Sequence, residues 1–367
     1  MPLGFVSLQA VVGLIMLMAW PTFSQAQVPA HEHAVILLYH HVSADTPAST
    51  SIDPATFKAH LDYLSDHHFH VWSLTRILAH IEADQPIPED TVALTFDDAY
   101  ASVYTEAYPR LKRRGWPFTV FVSTDYIDKH YKGYMTWDQL REVADNGGQL
   151  GNHSRSHPHL VRRLAGESEA EWRGRVRSQI SGAQGRLEAE TPAAAIKVFA
   201  YPYGEYSAPL EAIVTGLGFR GVGQQSGAVG TVSDLGAAPR FPMAGAYATM
   251  KQFVTKVRTR PLPVTVMAPK DPFLGADPVR PALRLRIGQG PFRLGGLACY
   301  ASRQGRMLLD WVDRKGRVIE IRPRKPFTAG GRFKYNCTAP ATGKRGVYYW
   351  YSHLWMKKNP DGSWYND

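Results

Sequence analysis

The 367-residue chain is poor in cysteine: Cys299 and Cys337 are the only two. A framework of several disulfides is excluded, and at most one bridge can form. Both cysteines fall inside one short region. In an oxidising compartment they are expected to pair, with two buried thiols as the alternative. Long apolar runs are also scarce. The run VVGLIMLMAW (11–20) is ten residues, too short for a membrane-spanning helix, and no later segment is longer and comparably apolar. With small residues at Ser24 and Ala26 behind it, the run reads as a signal peptide, 1–26, cleaved after Ala26. The expected product is exported, periplasmic or secreted. Positive charge is missing where such signals usually carry it, since the first Lys or Arg is Lys58. No cysteine follows the run, which argues against a lipid anchor. Internal repeats and low-complexity tracts are absent too, so a solenoid is excluded.

Acidic residues thin out towards the end. From Arg280 onward 18 Lys and Arg face 5 Asp and Glu, roughly +13 in a chain of net charge +10. The rest is therefore slightly acidic, roughly −3. A basic final segment suits an anionic partner such as an acidic glycan or an envelope surface, and export argues against nucleic acid.

Strand-like and helix-like stretches alternate through residues 27–258. AVILLYH (34–40), TVALTF (91–96), PFTVFVS (117–123), QLGNHS (149–154), IKVFAYP (196–202) and FRGVG (219–223) are short apolar runs of the buried-strand kind. Between them, 54–67, 102–115, 136–148, 167–189 and 208–218 have helical spacing, with Asp53 and Thr136 as N-caps and Gly115 as a stop. About seven such units predict an α/β fold with parallel strands, of barrel rather than small open-sheet size. Residues 259–282 hold six prolines without helical period and read as a linker. The remainder, 283–367, has short alternating runs between Gly-rich turns and predicts a small basic β-sandwich.

Chemistry gathers at four places. The strand TVALTF stops on two adjacent carboxylates, Asp97 and Asp98. Neighbouring side chains of a strand face opposite ways, so both can serve one site only where the strand ends and the backbone turns. Two carboxylates that close also favour a cation between or beside them. HSRSH supplies His153 and His157, four apart, and two imidazoles with one carboxylate form a facial set suited to Zn²⁺ or a similar divalent ion. FAYPYGEY places a turn after a strand around Pro202, Tyr203 and Gly204. LLYHHVS ends a buried strand on His40 and His41, either of which could face the same rim. His159, directly after Pro158, is not assigned to the site.

In this order TFDDAY, HSRSH and YPYGE resemble the NodB-type polysaccharide deacetylases, carbohydrate esterase family 4, over roughly residues 34–260. The leading YHHV resembles the circularly shifted branch with periplasmic poly-N-acetylglucosamine deacetylases, in which the catalytic His comes first. The resemblance implies a distorted (β/α) barrel and hydrolytic removal of N-acetyl groups from a GlcNAc-containing polymer. It implies Asp97 as general base and Asp98, His153 and His157 as ligands of a divalent ion, Zn²⁺ with Co²⁺ or Ni²⁺ as alternatives. His40 is implied as general acid, with His41 turned away by strand alternation, and the Tyr203 backbone N–H as an oxyanion donor. An O-acetyl esterase, or a glycan-binding protein without turnover, are the alternatives. One departure matters: where the family carries Arg ahead of this turn, to steady the catalytic aspartate, this chain has Ala200. Arg240 of APRFPM is the expected substitute.

Overall fold

Strand β1, His33–Tyr39, has six consecutive buried residues, as a strand covered on both faces requires. In the computed structural model, which describes Met1 and residues 32–366, β1 pairs in parallel with β2, Thr91–Phe96, and the series continues through β3, Phe118–Val122, β4, Gly148–Asn152, β5, Ala195–Ala200, and β6, Arg220–Val222. Apart from Met1, the expected signal peptide lies outside the described residues. The sheet then curls shut. Ala238 bridges in parallel to Val222 of β6. The short strand β7, Phe241–Pro242, pairs in parallel with β1. Residues 238–242 therefore carry the ring from the sixth strand back to the first, giving the expected distorted seven-stranded (β/α) barrel.

The helices pack outside the ring. In α1, Pro54–Asp66, the Asp53 carboxylate accepts from the Ala55 and Thr56 amides. Helix α2, Tyr108–Arg114, stops at Gly115 with φ of 63°. Helix α3, Trp137–Asp145, opens with a reciprocal cap between Thr136 and Gln139, and α4, Glu169–Glu190, is the longest. The stretch 102–115 differs from the single helix expected there. A π-helical turn, Val103–Ala107, precedes α2, because Pro109 has no N–H with which to continue the α-helical ladder.

The C-terminal part is a two-sheet β-sandwich. One sheet runs β8, Arg260–Pro261, then β16, Tyr348–Lys357, β15, Gly331–Pro340, and β12, Ala298–Ala301, with β10, Phe273–Leu274, also on β16. The other runs β9, Val264–Ala268, β11, Leu283–Ile287, β14, Val318–Arg322, and β13, Leu308–Asp313. In β11 the leucines and isoleucine are buried and Arg284 and Arg286 exposed, the alternation of a half-buried strand. Cys299 and Cys337 sit opposite one another on β12 and β15 and are joined by a disulfide.

The stretch 259–282 is not a plain linker. It holds β8, β9 and β10 and so belongs to the sandwich. Its prolines hid this, because a residue without an N–H fits a strand only at an edge or an end, and Pro261 sits on a strand paired on one side only. Strand β16 is shared between the two halves: Leu354 and Met356 are buried in one cluster with Trp172, Phe199 and Tyr201 of the barrel domain.

Candidate functional site

All seven residues singled out from the sequence border the C-terminal ends of the barrel strands. The adjacent carboxylates separate as the question of strand alternation demands. Asp97 continues β2 inward, its amide donating to the Tyr39 carbonyl at 2.9 Å. The chain then turns through left-handed conformations at Asp98 (φ 73°) and Ala99 (φ 59°). Ser154, His157 and Tyr203 also have positive φ, so five of the eleven such non-glycine residues among those described lie at this one rim. Strain concentrated there fits a site whose geometry is imposed by its surroundings.

Asp98, His153 and His157 bring one ligand atom each to within 4.8 Å of one another. The Nε2 atoms of both histidines stand 3.4 Å from Asp98 Oδ1. Ligand bonds of about 2.0–2.1 Å at tetrahedral angles put neighbouring ligands about 3.3–3.4 Å apart. The three residues therefore fit a divalent ion of the Zn²⁺ class. A second observation agrees. His153 Nδ1 donates to the Ala200 carbonyl at 2.7 Å, which fixes the tautomer and leaves the Nε2 lone pair facing Asp98, buried and without a hydrogen-bond partner. Such an orphaned atom is costly unless something binds it. Burial, reinforced by His153, lowers the His157 imidazole to about 4, whereas at His153 burial is outweighed by Asp98 and Asp97, which raise it. Burial pushes the Asp98 carboxyl up, but His153 and His157 outweigh it and hold the group well below the usual carboxylate range.

Asp97 is not part of that triad. Arg240 clamps it with two parallel bonds, Nη1 to Oδ1 and Nη2 to Oδ2, both 2.7 Å, and both residues are 0% exposed. The guanidinium is held in turn by Thr95 Oγ1 at 3.2 Å and the Gly223 carbonyl at 2.8 Å. Arg240 lies in the closing segment of the ring, so the barrel's seam delivers the cation to its centre. Burial raises the Asp97 carboxyl, and the charges of Arg240, His153 and His40 reverse this to a net lowering.

His40 follows directly after β1, half-buried, and its charge bears on Asp97, Asp98 and His157 alike. The expectation that His41 turns away needs correcting. Strand β1 ends at Tyr39, so its alternation does not run on through His40 and His41. The His41 ring stacks on Tyr100 at 3.5 Å between centroids, and burial together with the nearby Asp98 charge raises the Tyr100 hydroxyl. Both histidines thus border the site, His41 from behind Tyr100. Tyr203 has φ of 59° in its turn, and its ring packs on His157 at 4.4 Å and stacks on His159 at 3.8 Å.

Sequence reasoning missed a supporting hub. Glu205, 1% exposed, accepts from Tyr365 Oη at 2.6 Å, His159 Nδ1 at 2.9 Å, Arg162 Nη2 at 3.2 Å and Arg332 Nη1 at 3.3 Å. The Arg332 guanidinium also lies 5.4 Å over the Tyr203 ring. The sandwich therefore reaches the rim of the barrel site. Glu205 stands inside the YPYGE stretch, which was the available signal; nothing in the sequence near Arg332 or Tyr365 points there.

Comparison with known proteins agrees with this arrangement. Residues 84–222 match the family model described as polysaccharide deacetylase. The chain is 24% identical over 266 residues to the poly-beta-1,6-N-acetyl-D-glucosamine N-deacetylase of Escherichia coli (strain K12), covering 62% of this chain and 39% of that one. It is 30% identical over 125 residues to YxkH of Bacillus subtilis (strain 168), covering 34% and 43%. The chain thus spans less than half the length of these curated relatives. Among solved structures, the Streptococcus pyogenes deacetylase PplD superposes with a TM-score of 0.55 at 21% identity, over 61% of this chain and 98% of that one. IcaB from Ammonifex degensii does so with 0.54 at 22%, over 62% and 98%. Residues 84–222 therefore carry a polysaccharide deacetylase domain.

Proposed function

We propose that the protein is a metal-dependent hydrolase that removes N-acetyl groups from a GlcNAc-containing polysaccharide outside the cytoplasm. One observation carries the reading: an Asp–His–His ligand set with an orphaned imidazole nitrogen stands beside a second carboxylate that an arginine holds in place. The similarity to a poly-β-1,6-GlcNAc N-deacetylase supports the substrate class.

Asp98, His153 and His157 would hold the ion, Zn²⁺ or else Co²⁺ or Ni²⁺. When bound, it would supply Lewis-acid polarisation of the acetyl carbonyl and acidify water. The protein's own groups move the protons. Asp97, ionised and fixed by Arg240, takes one proton from water as its oxygen attacks the acetyl carbon. The Tyr203 backbone N–H is the donor for the oxygen that becomes negative. His40, protonated, gives its proton to the departing nitrogen as the C–N bond breaks, because an amide anion is too basic to leave unaided. Acetate and a glucosamine unit result.

The basic sandwich surface, with Arg284 and Arg286 pointing outward, is the candidate contact for an anionic envelope surface. The test of function is acetate release from poly-β-1,6-GlcNAc, chitin oligomers, peptidoglycan and acetylxylan, before and after chelation and after adding back Zn²⁺, Co²⁺ or Ni²⁺. Chelator-sensitive release from a GlcNAc polymer is expected. Release from acetylxylan alone, or release indifferent to chelation, would refute it.

A further inference from the structure

A sizeable cleft lies away from the metal ligands. With a volume of about 510 Å³, it opens between the barrel and the sandwich, walled by residues 225–239, by β9 and by the start of β16. That volume is in the range of small-molecule sites. At its lining stand the carboxyl groups of half-buried Glu211 and exposed Asp234, near enough for the Asp234 charge to bear on Glu211. Deeper, Gln225 and His353 are 5% and 6% exposed, and Gln225 Oε1 and His353 Nε2 have no hydrogen-bond partner. Trp350 and Tyr351 supply aromatic wall. The one cation of the lining is the exposed Lys270.

Two carboxyl groups and an amide oxygen form a set dominated by acceptors, with the His353 imidazole beside them. It suits a ligand rich in N–H and O–H donors that carries positive charge, and the flat aromatic faces suit a sugar ring. A chain whose reaction turns neutral acetamides into ammonium groups makes such a ligand. Burial and the neighbouring Asp234 raise the Glu211 carboxyl to about 7, as expected of a carboxyl pair that lacks a counter-cation. We propose that this cleft is a second glycan site that takes a glucosamine unit in preference to its N-acetylated form. This rests on the deacetylase reading for the identity of the sugar, but not for the cleft's charge or shape.

The experiment titrates full-length protein with a β-1,6-linked glucosamine pentamer and with its fully N-acetylated counterpart. It compares the wild type with the double variant Glu211→Gln, Asp234→Asn, whose near-isosteric changes lie at half-buried and exposed positions. We expect the glucosamine pentamer to bind the wild type about tenfold more tightly than the acetylated one. The double variant should lose that margin while acetate release from a short acetylated oligomer is unchanged. Equal binding of the two pentamers, or an undiminished margin in the double variant, would overturn the assignment. The two readings fail separately: absence of acetate release with a retained margin removes the deacetylase and leaves the amine site standing.

Discussion

Arg240 and Asp97 illustrate how much one pair can decide. Bidentate geometry uses both oxygens of the carboxylate, so Asp97 can rotate very little and stays ionised. Lysine offers a single charged point instead of a fork. Arg240→Lys is expected to lower kcat by about 10²-fold, the lower end of what general-base catalysis contributes, with little change in KM. Arg240→Ala also strands a buried charge and should cost about 3–5 kcal/mol of stability. Steady-state kinetics and denaturant melts of both variants test this, and full turnover in either would remove Arg240 from the site. His40 and His41 should divide in the same assay. His40→Asn is expected to lose about 10²–10³-fold in kcat. His41→Asn should lose far less, because its ring is occupied in stacking on Tyr100. The reverse ranking would exchange their roles. Residues of this rim were legible in the sequence where a short motif holds them together, as in Asp97–Asp98 and His153–His157. Arg240 was legible only as the answer to a missing arginine at Ala200. Arg332 and Tyr365 were not legible, because their place depends on contacts between segments far apart in the chain.

Among the elements, the long barrel strands were readable because burial on both faces demands unbroken apolar runs. The seam at β7 and the edges at β8 and β10 were not, being two residues long and, in the first two, containing proline. Helix α1 is tied to the barrel by a group whose titration can be followed. Buried His60 accepts from the Tyr39 hydroxyl at Nδ1, 3.1 Å, donates from Nε2 to the Ala248 carbonyl, 2.7 Å, and stacks on Phe253 at 3.8 Å. Burial lowers its imidazole from 6.5 to about 4. The folded pKa lies below the unfolded one, so this stabilisation is complete above about pH 6.5 and is lost as the pH falls through about 4. The loss is on the order of 3 kcal/mol. His60→Gln should start less stable but show a flatter stability curve between pH 6.5 and 4 than the wild type. Parallel curves in urea titrations at matched pH would show that His60 is not the group responsible.

At the scale of the whole molecule, the question is whether the basic sandwich is an attached module or part of the barrel's structure. Its charge is less available than the count of Lys and Arg suggests. Lys334 Nζ donates to the Gln224 carbonyl of the barrel domain at 2.6 Å, Lys357 Nζ donates to the Ala276 and Lys358 carbonyls, and Arg317 donates to the Ile287 and Gly288 carbonyls. Strand β16 buries Leu354 and Met356 among barrel residues, and Arg332 and Tyr365 complete the donors around Glu205. Removing 283–367 would expose that apolar cluster and take two of four partners from a carboxylate that is almost wholly buried. The two halves should therefore unfold together, in one calorimetric transition, and a chain ending at residue 282 should be insoluble or lose acetate release. Glu205→Gln probes the same coupling without truncation. Arg162 and Arg332 would then face each other without their shared anion, a loss of about 3–5 kcal/mol, and Tyr203, which packs on the metal-set residue His157, would lose the support of Arg332. Activity of the Gln variant should fall together with its melting temperature. Two separate transitions in the wild type, or a soluble, active chain ending at 282, would mean that the sandwich is a passenger and the Glu205 contacts incidental.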